Sequence, residues 1–597
     1  MYSISRRHRY SQRKLDQILE CPHVELIKVS NKTNKSLHPE YALLWIVPLA
    51  FLTLFYFYPL ATILGKSLVG INSLSQLLDL VRQPYVVKTL WFTIWQATLS
   101  TILTLVIGLP GAYLLAHYNF WGKNVLRAIT AIPFVLPTVV IAASFTSTLG
   151  PNGWINRALM NWLNLDTAPI ILNHTLWAIL IAHVFYNTTI ILRLVGDYWT
   201  LMDPKLVQAA RCLGATRLKA FLGITLPLLT PAIVSAALLV FIFDFTSFGV
   251  ILILGGPIFS TLEVAIYRQT INFFDLEMAA LLSVLQLMCT LVLTVLYTRF
   301  TRKTHRPLKT NRLPSIRRQQ LNWKTRISVG ILIAILIIVL VLPLITLAFS
   351  SVFKFEPDRG ERENASTGFT LNYYRELFIN RRHSIFFVTP IETIIFSLRN
   401  AMITMISALA IGLPTTWILA RKTKLAQMLE PILMLPLGTS AVTLGLGFLL
   451  VFSRAPFNMH TSSLLIPLAH TLVAFPFVVR SLLPSWTIIN PQLRKAAAIL
   501  GANPIQVWRE IDLPIIGRAI LVAGAFAFTI SIGEFGATIL LSRPEFTTVP
   551  MAIYRYLSLP GALNYGQAMA LSTLLMIFCG TSIFFIEAIR PNAISEF

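Results

Sequence analysis

Long apolar runs alternate with short polar stretches along the chain, and this alternation predicts membrane-spanning helices. A helix needs about 20 mainly apolar residues to cross the hydrocarbon core of a bilayer. Twelve runs of this kind are centred on residues 42–64, 90–115, 128–149, 175–195, 228–254, 279–298, 327–349, 393–419, 431–453, 463–483, 515–541 and 567–588. The pattern therefore predicts an all-α polytopic membrane protein with about 12 transmembrane helices.

Composition agrees with this prediction. Charged residues make up 12% of the 597 positions and hydrophobic residues 55%, whereas a soluble domain carries roughly 25% charged residues. The 49 Lys and Arg against 25 Asp and Glu give a net charge of +24, which in a soluble protein would suggest nucleic-acid binding. In a membrane protein such residues collect in cytoplasmic loops and orient the spans, so we expect no nucleic acid as a partner.

A basic segment divides the chain into two halves. Residues 299–326 contain ten Lys or Arg and no acid, which is typical of a cytoplasmic segment. We interpret it as a linker between a first half at 41–298 and a second half at 327–597, with a basic tail at 1–40. Six spans in each half place both termini on the cytoplasmic side.

The two halves resemble each other in sequence at a fixed spacing. Ala182-His183 recurs as Ala469-His470, and Ala265-Ile266-Tyr267-Arg268 recurs as Ala552-Ile553-Tyr554-Arg555, both 287 residues later. An Ile-Gly-Leu-Pro sequence starting at Ile107 recurs at Ile411, a spacing of 304. Because six spans is an even number, the repeats should be parallel and related by a pseudo-two-fold axis along the membrane normal.

Each half also contains a polar helix–turn–helix pattern, at residues 200–227 and 487–514. A capping residue precedes a proline, which suits the first position of a helix, and about ten residues later a glycine is expected to end that helix in the left-handed conformation. We expect a second short helix that stops at Leu-Pro, where the next span begins. The capping and turn residues are Asp203 and Gly214 in the first pattern, and Asn490 and Gly501 in the second.

These two patterns resemble the loop of ABC importer permeases in which Glu-Ala-Ala is followed by Gly and then by Ile-x-Leu-Pro. In that family the loop forms a coupling helix that docks into a cleft on the ATPase subunit. The matching residues are Ala209, Ala210, Gly214, Ile224, Leu226 and Pro227 in the first half, and Ala496, Ala497, Gly501, Ile511, Leu513 and Pro514 in the second. The family's glutamate is replaced by Gln208 and Lys495, so we do not expect a salt bridge from that position.

Two further stretches resemble the fused permeases for ferric iron and for thiamine, which are type I importers. These stretches are Phe245-Thr246-Ser247-Phe248-Gly249 with Gly255-Gly256-Pro257, and Ser531-Ile532-Gly533-Glu534-Phe535-Gly536. The resemblance implies a bacterial inner-membrane permease subunit for a small cationic nutrient, served by an extracytoplasmic binding protein and two copies of an ATPase. Since the sequence has no G-x-x-x-x-G-K-[ST] phosphate loop, we expect no enzymatic activity and no cofactor in this chain, with ATP and magnesium on the ATPase subunits.

Ionisable residues within spans are candidates for the substrate pathway, because they cost about 2.5–3.5 kcal/mol at a helix centre. Asp244 lies in the predicted fifth span and Glu534 in the eleventh. Their repeat partners are Ser531 and Ser247, so the two carboxylates lie about one helical turn apart on equivalent helices. Both could face a central cavity and accept a cation, or each could instead be paired with a donor between spans.

Three more residues complete the predicted pathway: Phe248 and Phe535, which could add cation–π contacts, and Asn187 in the fourth span. His183 and His470 are more typical of packed, hydrogen-bonded residues than of metal ligands, and the four cysteines are scattered. The sequence therefore predicts no metal site.

A second class of function remains open from the span count alone. Two parallel six-helix repeats also describe ion-coupled secondary transporters, although such a transporter would leave the paired cytoplasmic loops unexplained. A membrane enzyme is disfavoured, because no nucleophile–base or metal-ligand constellation is evident in the sequence.

Overall fold

The computed structural model describes residues 39–69, 73–118, 120, 122–304, 323–354, 368–379, 388–421, 423–453, 455–459 and 462–589. The chain divides into a short N-terminal unit, Met1–Leu43, and one compact unit, Leu44–Phe597. Nearly all of the predicted basic tail and the centre of the predicted linker, residues 305–322, lie outside the described residues.

The first half is helical throughout its described part. Its helices are α1 (Pro39–Leu52), α2 (Tyr58–Ser67), α3 (Leu74–Val81), α4 (Pro84–His117), α5 (Lys123–Ile129), α6 (Ile132–Val135), α7 (Thr138–Leu149), α8 (Trp154–Leu163), α9 (Leu176–Ile190), α10 (Gly196–Leu201), α11 (Pro204–Cys212), α12 (Arg217–Ala220), α13 (Leu226–Phe245), α14 (Gly249–Leu254), α15 (Leu262–Ile271) and α16 (Leu276–Thr304).

The second half repeats this order and adds a small hairpin. Its helices are α17 (Trp323–Ser350), α18 (Asn372–Arg375), α19 (Pro390–Leu419), α20 (Lys424–Leu433), α21 (Ala441–Phe452), α22 (Leu465–Ile488), α23 (Pro491–Ile499), α24 (Pro504–Val507), α25 (Leu513–Gly533), α26 (Gly536–Leu541), α27 (Val549–Leu557) and α28 (Ala562–Ile589). The antiparallel strands β1 (Phe353–Lys354) and β2 (Gly368–Phe369) pair Phe353 with Phe369.

Ten of the described helical segments are long and apolar enough to cross a membrane. Two bent pairs, Val125–Val135 with Thr138–Leu163 and Lys424–Gly438 with Ala441–Phe452, raise the number to as many as 12. The all-α polytopic fold is therefore confirmed, but the predicted spans 128–149 and 431–453 are broken by bends of 107° and 95°. In the first pair the bend falls at Pro137, since the residue before a proline avoids the helical conformation.

The predicted fifth and eleventh spans are also interrupted, because α13 ends at Phe245 and α25 at Gly533. At the first break the side-chain amide of Gln96 donates to the backbone carbonyl of Asp244 at 2.8 Å. At the second, Oε1 of Glu534 accepts the backbone N–H of Gly536 at 2.8 Å. Polar side chains thus satisfy backbone groups that an interrupted helix leaves free inside a membrane protein.

The helices after the two polar patterns do not stop at Leu-Pro, in contrast to the sequence prediction. Arg217–Phe245 and Pro504–Gly533 are each continuous. In both, a π-helical turn ends two residues before the proline, at Phe221–Thr225 and at Trp508–Asp512. Proline lacks an N–H and its ring crowds the preceding turn, and a π turn widens the helix enough to accommodate it.

The first span of each half packs against the other half. α2 contacts α21, where a Cβ added to Gly447 would lie 2.9 Å from the Cβ of Pro59. Conversely, α17 contacts α7, and the hydroxyl of Thr346 lies 2.5 Å from that of Thr148. Leu340 and Leu344 of α17 belong to a buried core that also contains residues of α7, such as Val139 and Ala143. The exchange is reciprocal, in agreement with the predicted pseudo-two-fold relation.

One ion pair also joins the two halves. Nη2 of Arg193, in the π-helical turn Ile191–Val195 that follows α9, lies 2.6 Å from Oε1 of Glu587 in α28. Their repeat partners are Arg480, which is exposed, and Phe300. The ion pair therefore has no counterpart at the equivalent positions, and Arg193 reaches the second half instead of extending toward a membrane face.

Candidate functional site

Each half displays one short, capped helix with little burial. The carboxylate of Asp203 accepts the N–H of Lys205 at 2.9 Å ahead of α11, and the chain turns at Gly214, whose φ is +90°. The side chain of Asn490 accepts the N–H of Gln492 at 3.0 Å ahead of α23, and the φ of Gly501 is +87°. The local capping and turn geometry predicted from the sequence is present in both halves.

The residues of the predicted coupling motif have the same exposure in both copies. The exposed members are Gln208, Ala209, Gly214, Pro227, Lys495, Ala496, Gly501 and Pro514, and the half-buried members are Ala210, Ile224, Leu226, Ala497, Ile511 and Leu513. Large apolar side chains next to the turns are nearly free of contacts: Leu213 is 89% exposed, Ile499 86% and Leu500 87%. Exposed apolar patches of this kind are typical of a surface that another protein covers.

The second copy has a brace that the sequence analysis missed. Nε of Arg494 in α23 lies 2.7 Å from Oδ1 of the buried Asp512, which lies in the following π-helical turn. The equivalent residues of the first half are Val207 and Thr225. The sequence signal for this ion pair is Asp512, an acid within the Ile-x-Leu-Pro sequence of the second copy only.

Asp244 is fully buried within the first half. Its Oδ1 accepts a hydrogen bond from Nδ2 of Asn187 at 2.7 Å and from the hydroxyl of Tyr186 at 3.4 Å. Nδ1 of His183 is 3.3 Å from the same oxygen, and Nε2 of His183 is 2.9 Å from the hydroxyl of Ser247. The structure thus places two other predicted pathway residues, Asn187 and Ser247, in one cluster with Asp244. The same contacts fit the alternative in which this carboxylate is paired with donors between spans.

In the equivalent cluster of the second half, Ser531 takes the place of Asp244. Nδ1 of His470 is 2.9 Å from the hydroxyl of Ser531, and its Nε2 is 2.8 Å from that of Thr538. Ser531 also donates to the hydroxyl of Thr404 at 3.1 Å. Both histidines are therefore held by hydrogen bonds in packed surroundings, and the two halves differ in charge at this level.

Four aromatic residues meet where the two halves face each other. Phe248 and Phe535 stack with ring centroids 5.5 Å apart and an interplanar angle of 30°. Tyr267 contacts Phe248 at 5.6 Å, and Tyr554 contacts Phe535 at 5.5 Å. These are two pairs of repeat partners, and equivalent residues of a two-fold arrangement contact each other only near its axis. The predicted pathway residues Phe248 and Phe535 therefore mark the pseudo-two-fold axis.

Comparison with known proteins bears on this geometry. Residues 104–306, which include α11, Asp244 and Phe248, match the family described as the binding-protein-dependent transport system inner membrane component. This part of the chain therefore resembles the membrane component of binding-protein-dependent ABC importers. The match supports a multi-pass inner-membrane protein with a role in transport.

The sequence similarity to known proteins extends along both halves of the chain. The thiamine transport system permease protein ThiP of Escherichia coli (strain K12) is 26% identical over 496 residues, which cover 82% of this chain and 86% of that protein. ThiP of Haemophilus influenzae is 25% identical over 549 residues, 91% of this chain and 95% of that protein. A chain of the crystal structure of a bacterial alginate ABC transporter with its pentasaccharide-bound periplasmic protein is 17% identical, with a TM-score of 0.37, and covers 45% of this chain and 95% of that one.

The chain contains a further buried carboxylate that the sequence analysis missed. Glu263 of α15 is 1% exposed and accepts hydrogen bonds from the hydroxyl of Ser440 and from Nε2 of Gln286, both at 2.5 Å. The segment around α15 is too short to count as a span, so its acid was not considered. The available signal was its position two residues before the repeated Ala-Ile-Tyr-Arg, where the second half has Pro550.

Glu534 lies near this second carboxylate. It is half-buried between α25 and α26, and its Oε1 accepts the N–H groups of Gly536 and Ala537 at 2.8 and 3.3 Å. Within the part of the permease that the structure describes, no group of three or more His, Cys, Asp or Glu could hold a metal ion.

Proposed function

We propose that this permease imports thiamine, delivered by an extracytoplasmic binding protein and driven by two copies of a separate ATPase. The likeness to thiamine permeases along more than four-fifths of the chain favours thiamine over ferric iron. ATP and magnesium bind on the ATPase subunits, and the permease itself requires no cofactor. Both termini lie in the cytoplasm, on the same side as the basic linker.

The observation that carries this proposal is the pair of exposed helices α11 and α23, the coupling helices. Each follows a capped start with a glycine turn and presents bare apolar side chains, among them Leu213 in one copy and Leu500 in the other. Two surfaces of matching design suit two copies of one partner. Complete burial of one such side chain contributes about 1.5–3 kcal/mol.

The helices that leave the coupling turns supply a route for the motion. Arg217–Phe245 has 29 residues and Pro504–Gly533 has 30, so each extends about 44 Å at 1.5 Å per residue. One ends just before Phe248 and the other just before Phe535. When ATP draws the two ATPases together, each coupling helix moves, and a continuous helix carries the displacement to the aromatic pair on the pseudo-two-fold axis. The two halves then rock around that axis and open the pathway alternately to either side.

Transport in proteoliposomes tests the proposal. We expect uptake of radiolabelled thiamine that requires ATP, the ATPase and the binding protein together, and that an excess of ferric iron does not reduce. Uptake driven by a proton gradient without any ATPase would instead indicate an ion-coupled secondary transporter. ATP-driven uptake of ferric iron without thiamine uptake would leave the importer class intact and refute the substrate.

A further inference from the structure

Two carboxylates, one from each half, lie close to the N-terminus of the same helix, α21. Glu263 of the first half accepts the hydroxyl of Ser440, the residue that caps α21. Glu534 of the second half is bound to the N–H of Gly536, and a Cβ added to Gly536 would lie 3.3 Å from the Cβ of Ala441. Ala441 directly follows Ser440, so the two acids lie on either side of one backbone corner between the halves.

Within the described part of the chain, neither acid has a positively charged partner. Among the described residues, Glu263 and Glu534 take part in none of the ion pairs. Removing an acid from water without such a partner is costly. The interface therefore holds two acids that no positively charged side chain among the described residues neutralises.

Two uncharged side chains at the same corner also lack a partner. Gln286 donates its amide to Glu263, yet its Oε1 has no hydrogen-bond partner among the described residues, although Gln286 is 1% exposed. Thr443, whose backbone N–H is bound to Ser440, has a buried hydroxyl without a partner in the same part of the chain. The side-chain oxygens around the start of α21 can therefore accept more hydrogen bonds than the described residues donate to them, and no cationic side chain among those residues lies beside them.

Aromatic faces lie directly beside these acceptors. Phe535 follows Glu534 in the chain and stacks on Phe248 of the other half. A flat ring with a positive charge gains from an aromatic face and from a nearby acid at the same time. A flat ring can in addition stack on these faces over its whole area, which a metal ion or a simple ammonium cannot do.

We propose that Glu263 and Glu534, together with Phe248 and Phe535, form the point in the pathway that recognises a flat, positively charged nitrogen heterocycle. This inference rests on the proposed function, since thiamine carries such a ring. In the structure the two phenylalanines cover each other. When the halves rock apart, both ring faces and both acids become available, and Glu263 takes the place that the sequence had suggested for Asp244.

Uptake of thiamine by glutamine variants is the first test. Glutamine keeps the shape of the side chain and an oxygen that can accept the bonds from Ser440 or Gly536, so Glu263→Gln and Glu534→Gln remove charge with little else. We expect each variant to lower uptake at least tenfold, while the ATPase activity stimulated by the binding protein stays within twofold of the parent. The control is Glu277→Gln, at an exposed acid 3.5 Å from Lys66. Unchanged uptake in the double variant, or an equal loss of uptake and ATPase activity, would overturn the proposal.

A second test needs no thiamine. Thr443→Cys, in a permease whose four native cysteines are replaced by serine, is labelled with methanethiosulfonate reagents of positive and negative charge during turnover. We expect the cationic reagent to react at least tenfold faster, and the preference to fall toward one when both acids are glutamine. If the cationic reagent still reacts faster in a permease that does not take up thiamine, thiamine is refuted as the substrate, but the binding of cations at Glu263 and Glu534 is supported. Equal rates with both acids present, or no labelling in any state, would overturn the acid site whatever the substrate.

Discussion

The exposed apolar residues of the coupling helices allow the proposed docking of an ATPase to be measured one half at a time. Ile499 and Leu500 lie side by side at the end of α23 and are almost completely exposed. Burying both completely would contribute about 3–6 kcal/mol. Docking that covers only a third of their surface still contributes about 1–2 kcal/mol, which corresponds to a change of roughly 5- to 30-fold in the dissociation constant.

We therefore expect the double substitution Ile499→Ser with Leu500→Ser to weaken ATPase binding 5- to 30-fold. Permease in nanodiscs, titrated with the ATPase by biolayer interferometry, gives the dissociation constant. Because these side chains make few contacts within the permease, its thermal unfolding should not change. Ile171→Ser, at an exposed isoleucine between α8 and α9, is the matched control and should bind normally. The reasoning fails if the double variant binds as tightly as this control, or if its own unfolding temperature falls.

Three further predictions concern packing inside the permease. Asp244→Leu leaves the buried donors of Asn187 and its neighbours without an acceptor and should lower the free energy of unfolding by at least about 2 kcal/mol; an unchanged thermal unfolding curve would contradict the cluster described for Asp244. Arg193→Met removes a partly exposed ion pair between the halves and should cost about 0.5–1 kcal/mol, whereas Arg480→Met at its exposed repeat partner should cost nothing measurable in the same assay. Gly108→Ala would place a Cβ 2.7 Å from the Cβ of a neighbouring isoleucine and should cost about 1–3 kcal/mol, and chemical denaturation should show no such loss for Gly223→Ala, where the added Cβ meets nothing within 4 Å.

The features that could be predicted from the sequence are those fixed by neighbouring residues. The cap at Asp203 and the turn at Gly214 follow from local backbone chemistry, and the same rules apply at Asn490 and Gly501. The span count follows from the length of apolar runs. Both kinds of inference need no knowledge of which helix packs against which.

The remaining features depend on contacts between distant segments. An apolar window cannot show that Gln96 satisfies a carbonyl at the end of α13, so the break after Phe245 was not expected. The continuation through Pro227 depends on a π turn, which leaves no mark in the apolar pattern. Asp244 and Glu263 have similar sequence surroundings, yet one points into the bundle of its own half and the other toward the second half. That direction is decided by packing and could not be read from the order of the residues.

The first span of each half packs on the other half, and this has a consequence for how the permease can be assembled. α2 finds its packing surface on the second half, and α17 finds its own on the first. A polypeptide ending after α16 would therefore expose the face of α2 that contacts α21, and one starting at α17 would expose the face that contacts α7. Two such fragments complement each other, and neither is complete alone. Co-expressed as separate chains, they should recover as one heterodimer, whereas each fragment expressed singly should be degraded.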